Sequence, residues 1–401
     1  MEVVEDIVIV GAGIAGLATA LGLYRKGVRS LVLESSEALR ASGFTLTTWT
    51  NAWRALDALG VGDSIRQQHV LIQGLVVSSA SGAVTSELSF KKQENWSKQE
   101  VRCVKRNVLL ETLERELPSG TIRYSSKIVS IEEDGTIKLL HLADGSIIKT
   151  KVLIGCDGVN SLVANWLGLK KPVYSGRSAT RGLAEFSSGH DFKPELLQFV
   201  GEGYRSGLLP CSETSAYWCF TWIPSPQEKE VEESATKMKQ YVLSKLTNVP
   251  KEVKEAIEIS EISEVVSSPL RYRPPFSLLW GNITKRNICV AGDALHPMTP
   301  EIGQGGCSAL EDSIILAKCL SEAILDDHKG AQDECDRIKQ GLDKYAKNRR
   351  WRSFQLVATA YVVGFIQQSN GVVISFLRDK LLSNLMSKML LNISNYDCGK
   401  L

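Results

Sequence analysis

Gly11, Gly13 and Gly16 stand in the order Gly-x-Gly-x-x-Gly, and Glu34 follows about twenty residues later. Those residue types at that spacing suit a dinucleotide. Gly11 permits a tight turn, Gly13 lets a pyrophosphate approach bare backbone, and Gly16 allows close packing of helix on sheet. A helix opening at Ile14 and Ala15 offers free N–H groups and a partial positive charge to phosphate. Glu34, with Ser35 beside it, can accept hydrogen bonds from ribose hydroxyls, and its charge would repel a 2′-phosphate. Two further clusters carry polar groups among glycines. These are Gly155-Cys156-Asp157-Gly158 and Gly292-Asp293-Ala294-Leu295-His296-Pro297-Met298-Thr299-Pro300, the second continuing to Gly303-Gln304-Gly305-Gly306.

The elements around these residues are legible. Ile7 to Val10 is an apolar β-branched run and reads as a buried strand. Leu17, Ala20, Leu21 and Tyr24 recur at helical spacing until Gly27, and Ser30 to Glu34 reads as a second strand. Strand, glycine turn, helix, strand and acid in that order predict an FAD or NAD site. Val152-Leu153-Ile154 and Asn287 to Ala291 read as further buried strands returning to the same sheet, each ending at one of the other two clusters. Asn51 is expected to cap a helix through Trp53, Leu56 and Leu59 that stops at Gly60. Alternating residues from 72 to 90, and short strands from about Lys171 to Pro269, predict an inserted and mainly β region.

The expected fold class is therefore α/β. It comprises a discontinuous Rossmann-like domain for FAD or NAD, an inserted mainly β substrate domain and a C-terminal helical region. The expected division gives residues 1–75, 104–170 and 281–330 to the cofactor domain. Residues 76–103 and 171–280 go to the substrate domain, and 331–401 to C-terminal helices.

Bulk properties narrow the partners. The 401 residues are 43% hydrophobic and 23% charged, as in an ordinary globular protein, and a net charge of +2 gives no expectation of a nucleic-acid partner. The nine cysteines are scattered without C-x-x-C spacing, so neither a disulfide framework nor a metal site is expected. A first strand starting close to Met1 points to a cytoplasmic protein without a leader. Arg349-Arg350-Trp351-Arg352 reads as the solvated end of a charged helix. Ser353 to Leu377 carries no charge but is broken at Gln367 to Gly371, too short a run for a transmembrane helix. Packing helices are the expected use of this stretch, with a peripheral membrane contact through Val362, Val363, Phe365 and Ile366 as the alternative.

The three glycine clusters, in order and at this spacing, resemble those of the group A FAD-dependent monooxygenases, which have the para-hydroxybenzoate hydroxylase fold. The plant branch similar to salicylate hydroxylase and zeaxanthin epoxidase is the nearest likeness, and Tyr396-Asp397-Cys398-Gly399 fits it. The resemblance implies FAD as resident cofactor and NAD(P)H as a transient reductant with no domain of its own. It implies O2 and a small apolar or aromatic molecule as substrates, with hydroxylation or epoxidation through a flavin C4a-hydroperoxide.

It also assigns residues. Asp293 would bond the ribityl chain, and Pro300, Gly303, Gln304, Gly305 and Gly306 would face the flavin ring. Arg40 and Arg106 would reach the FAD phosphates, and Asp157 and Gly158 would serve both FAD and the passing nicotinamide. Gly292 would complete the cofactor set, and His296 is the one acid–base candidate. Tyr217 to Trp222 alternates two faces, Trp218, Phe220 and Trp222 against Tyr217, Cys219 and Thr221, and either could line the pocket. Phenolic and isoprenoid-like substrates both stay open. So does a flavin-dependent oxidase or cyclase on the same scaffold. A halogenase is disfavoured by the stretch Cys219 to Pro224, and an escort-type protein without chemistry by Gly303 to Gly306. The sequence sets no oligomeric state.

Overall fold

The computed structural model describes residues 4–39, 45–79, 81–91, 99–225, 228, 234–325, 331–368 and 383–401. Arg40 lies outside them.

Two large sheets and a helical cover make the architecture. The first sheet runs in space β16 (Thr284–Lys285), β17 (Ile288–Val290), β10 (Ile147–Gly155), β1 (Val4–Val10), β2 (Leu31–Leu33), β7 (Ile122–Arg123). Its central neighbours pair in parallel, with Val8 opposite Leu153 and Leu31, and Leu153 opposite Ile288. Strands buried on both faces must be apolar throughout, which is why Ile7–Val10, Val152–Ile154 and Ile288–Val290 read as continuous hydrophobic runs. The hairpin β8 (Ile128–Asp134) and β9 (Ile137–Leu142) hangs from β10. Between β7 and β8 Ser125 turns the chain with φ +52°.

Helices cover this sheet. They are α1 (Ile14–Arg25), α2 (Thr50–Leu59), the short α3 (Gly62–Arg66), α4 (Arg106–Arg115) and α5 (Leu162–Trp166). Gly60 ends α2 in the left-handed conformation at φ +79°, as expected. Asn51 does not cap it. Thr50 is already helical, and the Asn51 side chain is buried, donating to Gln304 at 2.8 Å and Glu311 at 2.5 Å.

The second sheet is ordered β15 (Val266–Tyr272), β11 (Val173–Glu185), β14 (Ser215–Trp222), β13 (Tyr204–Ser212), β12 (Glu195–Gly201), β4 (Gly74–Ser79), β5 (Val84–Ser89). All pairs are antiparallel except β12 with β4. Helices α6 (Ala235–Lys245) and α7 (Lys251–Ile259) back its outer face, where Trp218, Phe220 and Trp222 pack with Met238, Val242 and Ile257. A two-stranded ribbon, β3 (Thr45–Thr48) with β6 (Arg102–Lys105), bridges toward the first sheet.

Three helices complete the chain after the short α8 (Pro275–Trp280). They are α9 (Gly305–Leu325), the 38-residue α10 (Ala331–Gln368) and α11 (Ser383–Ser394). Among the described residues no helix is long and apolar enough to cross a membrane.

The basic cluster on α10 is not a solvated helix end. Arg349 and Arg352 are buried mid-helix, and they meet two acids presented side by side on α9. Arg349 Nε donates to Asp312 Oδ1 at 2.5 Å, and its Nη1 lies 2.8 Å from Glu311 Oε2. Arg352 Nη2 donates to Glu311 Oε1 at 2.7 Å. Burial opposes ionisation of both acids, but the facing charges prevail. His296 and Arg349 hold Asp312 below the usual carboxylate range, and Arg349 and Arg352 do the same for Glu311.

Candidate active site

A cavity of about 550 Å³ lies between the two sheets and is walled by both. At one end is the turn after β1. Gly11 has φ +100°, and a Cβ there would meet the Cys156 carbonyl oxygen at 2.6 Å. A Cβ on Gly16 would stand 1.9 Å from the Gly11 carbonyl oxygen, so α1 can approach the turn only with glycine. A Cβ on Gly13 would meet nothing within 4 Å. Gly13, Ile14 and Ala15 face open cavity at the start of α1, the arrangement that receives a phosphate on bare N–H groups. Glu34 is buried behind this turn, where its Oε2 accepts from Ala12 N at 2.9 Å and its Oε1 from Ser36 N at 2.9 Å, with Ser35 alongside. The acid shapes the turn from behind.

Further along, Arg106 at the start of α4, Gly158 and Asp293 line the cavity. Asp293 follows β17 and points its carboxylate into the cavity, with protein enclosing it from behind. This enclosure raises its pKa, opposed by the positive charges of His296, Arg106 and Arg181. Asp157, next to Gly158, is turned inward. Its carboxylate accepts from Ser161 Oγ at 2.5 Å and Leu162 N at 2.7 Å, and so fastens the first turn of α5.

Pro300, Gly303, Gly305 and Gly306 form the wall that the sequence placed against a ring. Gly303 has φ +60°, and α9 starts immediately after, its N-terminal end bare of side chains toward the cavity. A ring with negative charge developing at its edge would meet free N–H groups and the positive end of a 21-residue helix there. Gln304 is buried under the loop with its Oε1 on Asn51, and Gly292 shapes the preceding turn at φ +62°.

His296 is fully buried and is not among the lining residues. Its Nε2 sits 2.7 Å from Asp312 Oδ2 and 3.2 Å from Ser308 Oγ, inside the charged cluster of α9 and α10. That placement sets the imidazole behind the cavity wall, its Nε2 held by the charged cluster.

The far end of the cavity is the inner face of the second sheet. Tyr217, Cys219 and Thr221 of β14 line it, with Leu75 and Val77 of β4, and Thr359 and Val363 of α10 close it. Sequence alternation could not choose this face, because its opposite, Trp218, Phe220 and Trp222, is taken up by α6 and α7 and both faces carry large apolar or aromatic residues. Thr47 and Arg205 went unrecognised in the sequence, which offered Arg177 and Arg181 near the pocket without placing them. Thr47 of β3 lines the cavity directly beside Gly303, and nothing in a four-residue strand announces that. Arg181 and Arg205 both reach the lining from the second sheet. Among the described residues Arg205 donates to neutral oxygens, Glu301 O at 3.0 Å and Gln198 Oε1 at 3.2 Å. The Glu301 carboxylate is itself paired with the buried Arg177. One carboxylate thus faces two guanidinium groups, and burial pushes the pKa of Arg205 down.

Comparison with known proteins matches this arrangement. The family model described as an FAD binding domain covers residues 5–360. The chain is 52% identical to Monooxygenase 2 of Arabidopsis thaliana over 99% of its own length and 98% of that protein's. It is 37% identical to Monooxygenase 1 of the same plant, over 98% and 99%. The crystal structure of Klebsiella pneumoniae HpxO complexed with FAD and uric acid superposes with a TM-score of 0.81 at 22% identity. That match covers 97% of this chain and 96% of that one, and shows a shared fold. Glycine turn, cavity-facing Asp293 and bare-ended α9 fit an FAD in the cavity, and the chain belongs to the FAD-binding-domain family of flavoprotein monooxygenases.

Proposed function

We propose that the protein uses NAD(P)H and O2 to hydroxylate or epoxidise a small aromatic or apolar substrate held on the inner face of the second sheet. The observation that carries this is the continuity of one cavity from Gly13, past Asp293 and Gly305, to Tyr217 and Arg205. A bound flavin supplies the redox and oxygen-transfer chemistry. The protein's part is to bind, orient and exclude water. Gly13 to Ala15 and Arg106 receive the phosphates, Asp293 holds the sugar-alcohol chain, and the start of α9 favours negative charge on the ring. Leu75, Val77, Leu196 and Val363 keep the substrate end dry. Arg205 favours substrates with a negative or hydrogen-bond-accepting oxygen over plain hydrocarbons, because its buried charge lacks a matching acid.

The testing measurement is the visible spectrum of purified protein before and after anaerobic NADPH. Flavin bands that bleach are the expected result. Flavin bands indifferent to both NADPH and NADH across a panel of aromatic substrates would favour an oxidase or cyclase instead. A second expectation concerns Asp293→Ala. Losing a hydrogen bond to a charged group removes about 1.5–3 kcal/mol, so the FAD Kd should rise about tenfold to a hundredfold. Equilibrium dialysis reads it, and full FAD occupancy of the dialysed variant would refute the role.

A further inference from the structure

We propose that the outer face of α8 and α10 is a docking surface for an anionic lipid bilayer. Six aromatic side chains gather there. Phe276 and Trp280 stack on α8 with ring centres 6.4 Å apart, Phe276 meets Phe354 at 5.5 Å, and Phe354 meets Trp351 at 5.1 Å. One helical turn after another continues the row along α10 through Tyr361, stacked on Tyr272, to Val362 and Phe365. Trp280 is 77% exposed, Phe276 64%, Trp351 63% and Phe365 58%. Scattered single apolar residues need no explanation, but a continuous exposed row of this size marks an interaction surface.

The row is rigidly mounted. Arg350 Nη1 donates to the carbonyls of Leu278, Leu279 and Gly281, at 2.8, 3.1 and 2.8 Å, so α8 is clamped to α10 with its aromatic side outward. The Phe276 and Trp280 rings are therefore held outward by structure.

Charge selects the occupant. The solvent-facing charges of this surface are basic. Lys347, Arg271, Lys285 and Arg286 are exposed, and no acid stands between Lys344 and Gln368 or between Val265 and Gly292, whereas Arg273, Arg349 and Arg352 are buried and held by internal partners. Lys347 is exposed one turn before Trp351. Lys170 and Lys171 are exposed beside α8, where Arg273 donates to the Lys170 carbonyl and Leu169 lies against Gly281. The nearest preceding acid on α10, Asp343, accepts from Thr284 at 3.0 Å. Tryptophan and tyrosine over a basic rim suit the headgroup region of a membrane, where rings enter the interface and lysines meet anionic lipid. A second copy of this chain would bring the same positive rim against itself.

The surface also adjoins the chemistry. Thr359 and Val363 line the cavity from the same turns of α10 that present Val362 and Phe365 outward. A substrate dissolved in the bilayer surface would thus lie one helix away from the site. This last point rests on the substrate reading above, whereas the docking itself does not.

Vesicle co-sedimentation of the FAD-loaded protein tests it. The expected result is binding to phosphatidylcholine vesicles containing one-third phosphatidylglycerol, with binding to pure phosphatidylcholine weaker by about tenfold or more. The double variant Trp280→Ser/Trp351→Ser should lose about tenfold in vesicle affinity while keeping its FAD and its NADPH-driven bleaching, which read folding and the flavin site separately. No binding to the anionic vesicles, equal binding to both kinds, or unchanged binding by the double variant would each overturn the proposal. So would a dimer in sedimentation velocity that the double variant dissociates, which would give the surface to a second copy.

Discussion

Arg349→Met is expected to lower the free energy of unfolding by about 3–5 kcal/mol, the cost of leaving buried carboxylates without their partner. In the native chain Glu311 and Asp312 have folded pKa values held below their ordinary ones. A depressed acid stabilises the fold fully above its unfolded pKa, about 4, and the contribution fades as pH falls through the lower folded value. Native stability from this source is therefore flat at neutral pH and is lost in acid. In the variant Asp312 keeps His296 and the Gly292 N–H but loses Arg349, so its folded pKa should move up toward the unfolded one. The loss of stability between about pH 5 and pH 3 should therefore be smaller than in the native protein. Urea unfolding at neutral pH and at both of these values measures this. A variant that matches the native protein at pH 7 would show that the cluster contributes nothing. Because His296 and the carbonyl of Ser308 share the cluster, some loss of FAD should accompany the loss of stability.

The second large effect separates binding from folding. Gly13 has φ −82° and ψ −172°, a conformation open to any residue, and its missing Cβ would point into empty cavity. Gly13→Val should therefore fold with a urea midpoint near the native one. Its side chain would occupy the space of the pyrophosphate, and loss of two or more charge-assisted hydrogen bonds should weaken FAD by about a hundredfold or more. Gly16→Ala is the contrasting control, since its Cβ would collide with the Gly11 carbonyl oxygen and the loss would appear in folding. Fluorescence titration with FAD, set beside the unfolding curves, distinguishes the two. Tight FAD binding by Gly13→Val would remove the turn from the site.

The contrast between these glycines shows which features were legible. Gly11, Gly13 and Gly16 announce themselves because their constraints are local, set by the backbone within a few residues. The apolar strands β1, β10 and β17 were readable because burial on both faces leaves no alternation to confuse. Arg349 and Arg352 were misread as surface because their partners sit 37 to 41 residues away on another helix, and a charged residue in sequence carries no mark of its burial. Asn51 looked like a cap for the same reason, its true partners being Gln304 and Glu311. The alternating faces of β14 were both visible, but core helices bury one and the cavity takes the other. Only the third dimension distinguishes them. His296 was tempting by proximity in sequence to Asp293, yet only Asp293 lines the cavity while His296 joins the cluster of Asp312 and Ser308 behind it.

The order of strands in the first sheet has a consequence for synthesis. β1 leaves the ribosome first, but its neighbour β10 ends at Gly155 and the next strand, β17, ends at Val290. At the usual pace of translation, roughly 15 to 60 s separate β1 from β17. Throughout that interval the edge of β1, and later that of β10, offers unpaired backbone to whatever is nearby. β17 therefore sets the earliest moment at which the central sheet can close.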